Sequence, residues 1–256
     1  MRLMKMTGSI LAASALLLAA PATADTTGVP PGNPCTKNNG NPCNGNNGNL
    51  GDQGNADHEK IKIDHKPPPI GIPMPAVTDR GVFITQIGDS NVASVVQTAA
   101  NGYVALKQDG QGNNADVAQT GSGTAYLDAK QVGQDNFARV QQSGSGQNVL
   151  YVAQNGSGNW MWADQNAVGA IHNGARLTQA GNDNDMLLSQ DGSDNLAMLT
   201  QEGDDNGMTA VQLGDGNRLS WTQQGSNLSD LQITQTGGAS KGGQLLITQT
   251  NVGNGH

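Results

Sequence analysis

From Gly81 onward the chain alternates apolar and polar positions with a period of two, in short runs that each end on a glutamine. These glutamines are Gln86, Gln97, Gln108, Gln119, Gln131, Gln142, Gln154, Gln165, Gln179, Gln190, Gln201, Gln212, Gln223, Gln235 and Gln249, at intervals of 11, 12 or 14 residues. Two residues before each stands an apolar residue, beginning Ile84, Val95, Leu106, and four before stands another, beginning Val82, Ala93, Val104. All thirty such positions are apolar, in a chain that is only 35% hydrophobic. Alternation of this kind puts both apolar residues and the glutamine on one face of a β-strand. An amphipathic helix would need spacings of three and four. The residue just before the glutamine is often polar (Thr85, Lys107, Lys130, Asp164, Thr178, Thr200, Thr222), as a half-buried strand requires.

The segments between strands carry turn chemistry. After alternate glutamines the chain reads QIGDSN, QDGQGN, QVGQDN, QNGSGN, QAGNDN and QEGDDN. Gly88, Gly110, Gly133, Gly156, Gly181 and Gly203 permit positive φ, and Asn and Asp can hydrogen-bond locally in a tight arc. The other arcs vary more, from QTGSGT to QNAVGAIHNG. Two strands and two unlike arcs make one coil of 22 to 26 residues, giving seven coils and a closing half-coil at Leu245–Gln249. Fixed-period self-similarity is the mark of a solenoid. The predicted fold is all-β, a β-solenoid of strand-arc-strand coils.

Stacked coils set like residues above like at about 4.8 Å. One predicted column is Gln86, Gln108, Gln131, Gln154, Gln179, Gln201 and Gln223, and the opposing one is Gln97, Gln119, Gln142, Gln165, Gln190, Gln212 and Gln235. Asn91, Asn113, Asn136, Asn159, Asn184 and Asn206 form a third at the start of the second strands. A side-chain amide carries both donors and an acceptor, so such a ladder can satisfy itself in a dry core. That resolves a difficulty of composition. Leu, Ile, Val and Phe number 47 of 256 residues, while Gly is 36, Asn 27, Gln 23 and aromatics 3%. Such a chain would ordinarily read as disordered.

The first 80 residues differ. Residues 1–24 have a basic start (Arg2, Lys5), a short apolar run at Ile10–Ala20 and a small-residue cleavage pattern at Ala22-Thr23-Ala24, which reads as a secretory signal peptide. The run is too short to span a bilayer, so no integral membrane protein is expected. Removing Arg2 and Lys5 takes the formal charge from −8 to −10, which disfavours nucleic acid and anionic membrane as partners. Residues 25–80, rich in Asn, Gly and Pro, read as a disordered leader ahead of a repeat domain at 81–256. Cys35 and Cys43 could close a disulfide loop in an exported chain or remain free thiols. With His58 and His65 they fit no zinc spacing, and no metal or cofactor is expected.

The unit Q-x-G-x-x-N-x-A-x3-Q occurs at Gln86–Gln97, Gln108–Gln119 and Gln131–Gln142, with near matches at Gln154–Gln165, Gln179–Gln190, Gln201–Gln212 and Gln212–Gln223. It closely resembles the curlin repeat of bacterial curli subunits, over roughly residues 81–250. The resemblance implies a secreted subunit of a functional amyloid fibre, a fimbrium of the Gram-negative cell surface serving adhesion and biofilm matrix. It implies as partners other copies of the chain, related curli subunits, a dedicated outer-membrane secretion pore and its accessory proteins. Residues 25–80 look like a longer relative of the family's Gly/Asn-rich leader, differing in Cys35, Cys43 and a proline run.

Other function classes fit less well. A monomeric β-solenoid binding ice, glycan or calcium along one face is the alternative. Its threonine file is interrupted by Lys107, Lys130, Asp164 and Val211, and the nonapeptide of calcium β-rolls is absent. The acids of GNDND, DGSDN and EGDDN read as solvated turn residues. Trp221 falls on an inner column, Trp160 and Trp162 on the outer face. Catalysis has no candidate set: His172 and His256 are the only histidines of the repeats, and scattered Asp and Ser form no convergent cluster.

Overall fold

The computed structural model describes residues 71–76, 79–238 and 243–250. The signal-like segment, most of the leader and both cysteines, Cys35 and Cys43, lie outside the described residues. Among the described residues fifteen strands follow one another: β1 (Gly81–Ile87), β2 (Val92–Gln97), β3 (Asn101–Gln111), β4 (Asn114–Gln119), β5 (Thr124–Gln134), β6 (Phe137–Gly144), β7 (Gln147–Ser157), β8 (Trp160–Ala167), β9 (Asn173–Ala180), β10 (Asp185–Gly192), β11 (Leu196–Glu202), β12 (Gly207–Leu213), β13 (Arg218–Gln224), β14 (Leu231–Thr236) and β15 (Gln244–Thr250). They sort by parity. The odd strands form an eight-stranded sheet in chain order, and the even strands a seven-stranded one.

Both sheets are parallel, and each strand pairs with the strand one coil away. Val82 lies beside Val104, Ile84 beside Leu106 and Gln86 beside Gln108. Irregular coils keep this register: Gln154 pairs with Gln179 although 25 residues separate them. The extra residues are absorbed by the arcs, because a slip of one would turn the whole apolar set outward.

The two inner apolar columns meet between the sheets. Every such position from Val104 to Trp221 is buried. Trp221 sits in this core as read from its column, and its Nε1 donates to Gln249 Oε1 at 2.9 Å, so the indole brings no unpaired donor inside. Trp160 and Trp162 lie on the outer face of the even sheet, Trp160 stacked with Phe137 at 6.3 Å and Trp162 beneath the Arg139 guanidinium.

The arcs depend on glycine for two reasons at once. Gly133 has φ of +113°, a region L side chains rarely adopt, and a Cβ built on it would stand 2.0 Å from the carbonyl oxygen of Gly156 in the next coil. Stacked arcs therefore approach closer than any side chain permits. Two residues further on the chain enters the left-handed region, held by Ser90, Asp135, Asp183, Asp194, Asp205 and Asn227 where glycine is not used. Asp and Asn tolerate that region best among residues with side chains.

Within the segment read as leader, residues 71–76 are placed on the outer face of the odd sheet. Ile72 is 3% exposed and packs with Val149 and Leu196, with Met74 beside Tyr126 and Tyr151. Gly174 makes room for it, since a Cβ there would meet Ile72 at 3.1 Å. A His172 ring nitrogen, Nε2, is 2.7 Å from the Ile72 carbonyl oxygen. The arc between β8 and β9 thus supplies the histidine that ties this strap to the rod.

Candidate functional site: amide ladders and open strand edges

Each glutamine of the odd column donates from Nε2 to Oε1 of the glutamine in the next coil, from Gln86 to Gln108 and onward through Gln131, Gln154, Gln179, Gln201 and Gln223 to Gln249. The even column does the same, Gln97 to Gln119, Gln142, Gln165, Gln190, Gln212 and Gln235. All thirteen links measure 2.7 to 3.0 Å. Backbone carbonyls fix the sense of the ladder. Gln108 Nε2 also reaches Val92 O at 2.9 Å and Asn113 O at 3.1 Å. A flipped amide would put Oε1 against those oxygens, so each ladder amide from Gln108 to Gln235, all of which meet such a carbonyl, points its donor away from the N-terminal coil.

The asparagine column runs the opposite way. Asn113, Asn136, Asn159, Asn184 and Asn206 each donate from Nδ2 to Oδ1 of the asparagine one coil earlier, at 2.9 to 3.1 Å. The second Nδ2 hydrogen goes to an arc carbonyl of the following coil. Asn91 serves Gly110, Asn113 serves Gly133, Asn136 serves Gly156, Asn159 serves Gly181 and Asn184 serves Gly203. Arc glycine and ladder asparagine therefore form one unit: the glycine lets the arcs stack, and the asparagine saturates the carbonyl that stacking buries.

A second asparagine column was not read from the sequence. Asn148, Asn173, Asn195 and Asn217 are buried where the chain enters β7, β9, β11 and β13. Asn217 Nδ2 donates to Asn195 Oδ1 at 2.9 Å, and Asn195 Nδ2 to Gly214 O at 2.7 Å. In the first coils the same column holds Gly102 and Ala125. The signal lay in QDGSDN and QLGDGN, which place asparagine five residues after glutamine, as the first set does.

The ladders end at open edges. β1 and β15 bound the odd sheet, and β2 and β14 the even sheet. Inner-column residues buried elsewhere are uncovered there: Val82 is 39% exposed, Ile84 44%, Leu231 41% and Leu245 36%. Gln86 and Gln97 turn their donors inward and their Oε1 to the edge. Gln235 and Gln249 accept from the coil before and carry the last Nε2 groups.

The acidic arcs have partners of their own. Asp194 pairs with Arg218 at 2.6 Å, and Asp204 Oδ1 accepts the backbone N–H of Asn182 at 2.7 Å. Among the described residues no three His, Cys, Asp or Glu side chains converge as a metal site. Burial, with Asp191 nearby, raises the Asp164 carboxyl above its ordinary value, and burial with Asp183 and Asp230 raises Asp185. Thr178, Thr200, Thr222 and Thr248 stand in register on the odd sheet, but Ala153, Lys130 and Lys107 interrupt the file toward Thr85.

This is a parallel β-solenoid whose interior is cross-linked by amide ladders and whose ends are unpaired. The family model described as the curlin associated repeat matches residues 192–225, from the last residue of β10 to the first beyond β13, consistent with a curlin-repeat protein of curli type. No curated protein and no solved structure matches the chain. Among the described residues, no helix is long and apolar enough to cross a membrane.

Proposed function

We propose that the chain is a structural subunit that assembles end to end into an extracellular fibre of the curli type, serving adhesion and matrix at a bacterial surface. The carrying observation is that both glutamine ladders run in one sense and stop at uncovered edges. The C-terminal end offers Nε2 donors and the N-terminal end Oε1 acceptors, so the end of one copy suits the start of another. An unpaired strand edge is a template for a further strand. Joining end to start is a heterologous contact that does not close, and it produces a filament. The role is structural rather than catalytic. Export through an outer-membrane pore with accessory proteins belongs to the same reading, supported by the repeat and the signal-like segment.

Electron microscopy of purified residues 25–256 after incubation in buffer tests the proposal. Unbranched fibres are expected. Particles that remain monomeric at high concentration would contradict it.

A further inference from the structure

Among the described residues the odd sheet has eight strands and the even sheet seven. At the C-terminal end β15 therefore overhangs β14 by one strand position. At the N-terminal end the chain enters on β1 of the odd sheet and crosses through a four-residue arc to β2 of the even sheet. We infer that a second copy of this chain docks on the C-terminal step after a half-turn about the rod axis, its β1 filling the open place on β14 and its β2 lying on β15. This rests on the end-to-end fibre proposed above and specifies how the copies meet.

A copy added without rotation would seat its β1 on β15. Its β2 would then stand two strand spacings from β14, about 9.6 Å, with one position vacant. The vacancy would leave the β14 edge unpaired inside the fibre, with Leu231 and Ile233 against a gap. It would also break the even ladder, since no amide reaches across two spacings from Gln235 to Gln97. Buried backbone groups without partners and an apolar slot one strand wide are both costly.

A half-turn removes all three faults. Successive strands in a coil run in opposite directions, because the short arcs reverse the chain. Rotation by a half-turn about the rod carries an odd strand onto an even position with the even direction, so the new pairs remain parallel. The inner patterns accept the exchange. Leu231-x-Ile233-x-Gln235 of β14 would meet Val82-x-Ile84-x-Gln86 of β1, and Leu245-x-Ile247-x-Gln249 of β15 would meet Ala93-x-Val95-x-Gln97 of β2. Both glutamine ladders share one donor sense, so each continues correctly into the ladder of the other sheet. A strand inventory of fifteen thus makes a continuous fibre only if every subunit faces opposite to the last.

The test uses the full chain with Cys35→Ser and Cys43→Ser, the only cysteines it has. Thr85, Thr234 and Thr248 are exposed and each precedes a ladder glutamine. One variant carries Thr85→Cys with Thr234→Cys, the other Thr85→Cys with Thr248→Cys. After a half-turn, Thr85 lies beside Thr234 of the neighbouring copy on adjacent parallel strands, at about 4.8 Å and within disulfide reach. Without rotation it lies beside Thr248. Fibres are oxidised, dissolved without reductant and run on a gel. A covalent ladder of dimers, trimers and larger species is expected from the 85/234 pair and none from the 85/248 pair. Helical reconstruction of fibres without the threonine substitutions gives a second readout: a subunit rise of about 36 Å with rotation near a half-turn, against about 38 Å and little rotation. A ladder from the 85/248 pair, no ladder from either pair in fibres that form, or an unrotated reconstruction overturns the half-turn and leaves the fibre standing. Failure of the parent chain to form any fibre overturns both.

Discussion

Gln108 Nε2 lies 2.8 Å from Gln131 Oε1, a link between two wholly buried side chains 23 residues apart that adds to the backbone pairing of β3 with β5 at the same position. It shows how a chain poor in large apolar residues keeps a dry interior. Each interior ladder glutamine supplies one acceptor to the coil before it and one donor to the coil after it.

The first prediction concerns position along the ladder. Gln131→Ala in the interior leaves the Gln108 donor and the Gln154 acceptor without their partner, and should lower stability by about 1–3 kcal/mol in denaturant titration. Gln97→Ala or Gln235→Ala at an edge should cost less stability but slow seeded elongation more than Gln131→Ala does. Equal elongation rates for edge and interior variants would refute a templating role for the ends.

The arcs give a second. Gly133→Ala places a side chain in a region of positive φ and against the Gly156 carbonyl. The loss should exceed about 3 kcal/mol, from backbone strain and displaced stacking together. Gly71→Ala, where an added Cβ has nothing within 4 Å, is the control and should be nearly neutral. A thermal midpoint for Gly133→Ala close to that of the parent would mean the arcs are not in contact.

The raised carboxyls set a pH dependence. Asp164 and Asp185 have folded-state values above the ordinary 3.8, through burial first and neighbouring acids second. The folded chain then takes up protons more readily than the unfolded one. The resulting stability is complete below the unfolded value and is lost as pH rises through the raised folded value. The rod should become more stable on acidification from neutral into that window. The Asp164→Asn/Asp185→Asn double variant should be more stable than the parent at pH 7 and vary less across the window. Asp164 is half-buried and Asp185 exposed, so the effect is modest. Parallel melting curves for parent and variant across that range would sink the assignment.

The strap gives a fourth. Burial, with Asp128 close by, raises the Tyr126 phenol to about 12. Deleting 25–70 should leave the fold of the rod and its assembly intact, whereas extending the deletion through 76 uncovers Val149, Leu196 and Tyr126. The longer deletion, or Ile72→Ala, should lower the melting temperature and bring the Tyr126 phenol down in an ultraviolet titration. An unchanged phenol would mean the strap does not cover the ring.

Much of this architecture is legible in sequence because its period is short and its inner positions are uniform. The apolar pairs from Val104 to Trp221, the glutamine columns and the asparagine column from Asn91 all follow from spacing alone. The second asparagine column was hidden because Asn148 and Asn173 lie six and eight residues after their glutamines, where insertions lengthen the arcs. The strap was hidden for another reason. Ile72 and Met74 stand among prolines with no periodic neighbours, and their partner surface is built from four different coils. Ladder direction depends on which backbone carbonyls surround each amide, which only the stacked coils determine.

If copies join through their open strand edges, strands lie across the fibre and the coil stack continues along it. X-ray diffraction from aligned fibres measures this most directly. A sharp reflection near 4.8 Å on the fibre axis is expected. The same reflection on the equator, as from rods lying across the fibre and joined by their sides, would contradict it.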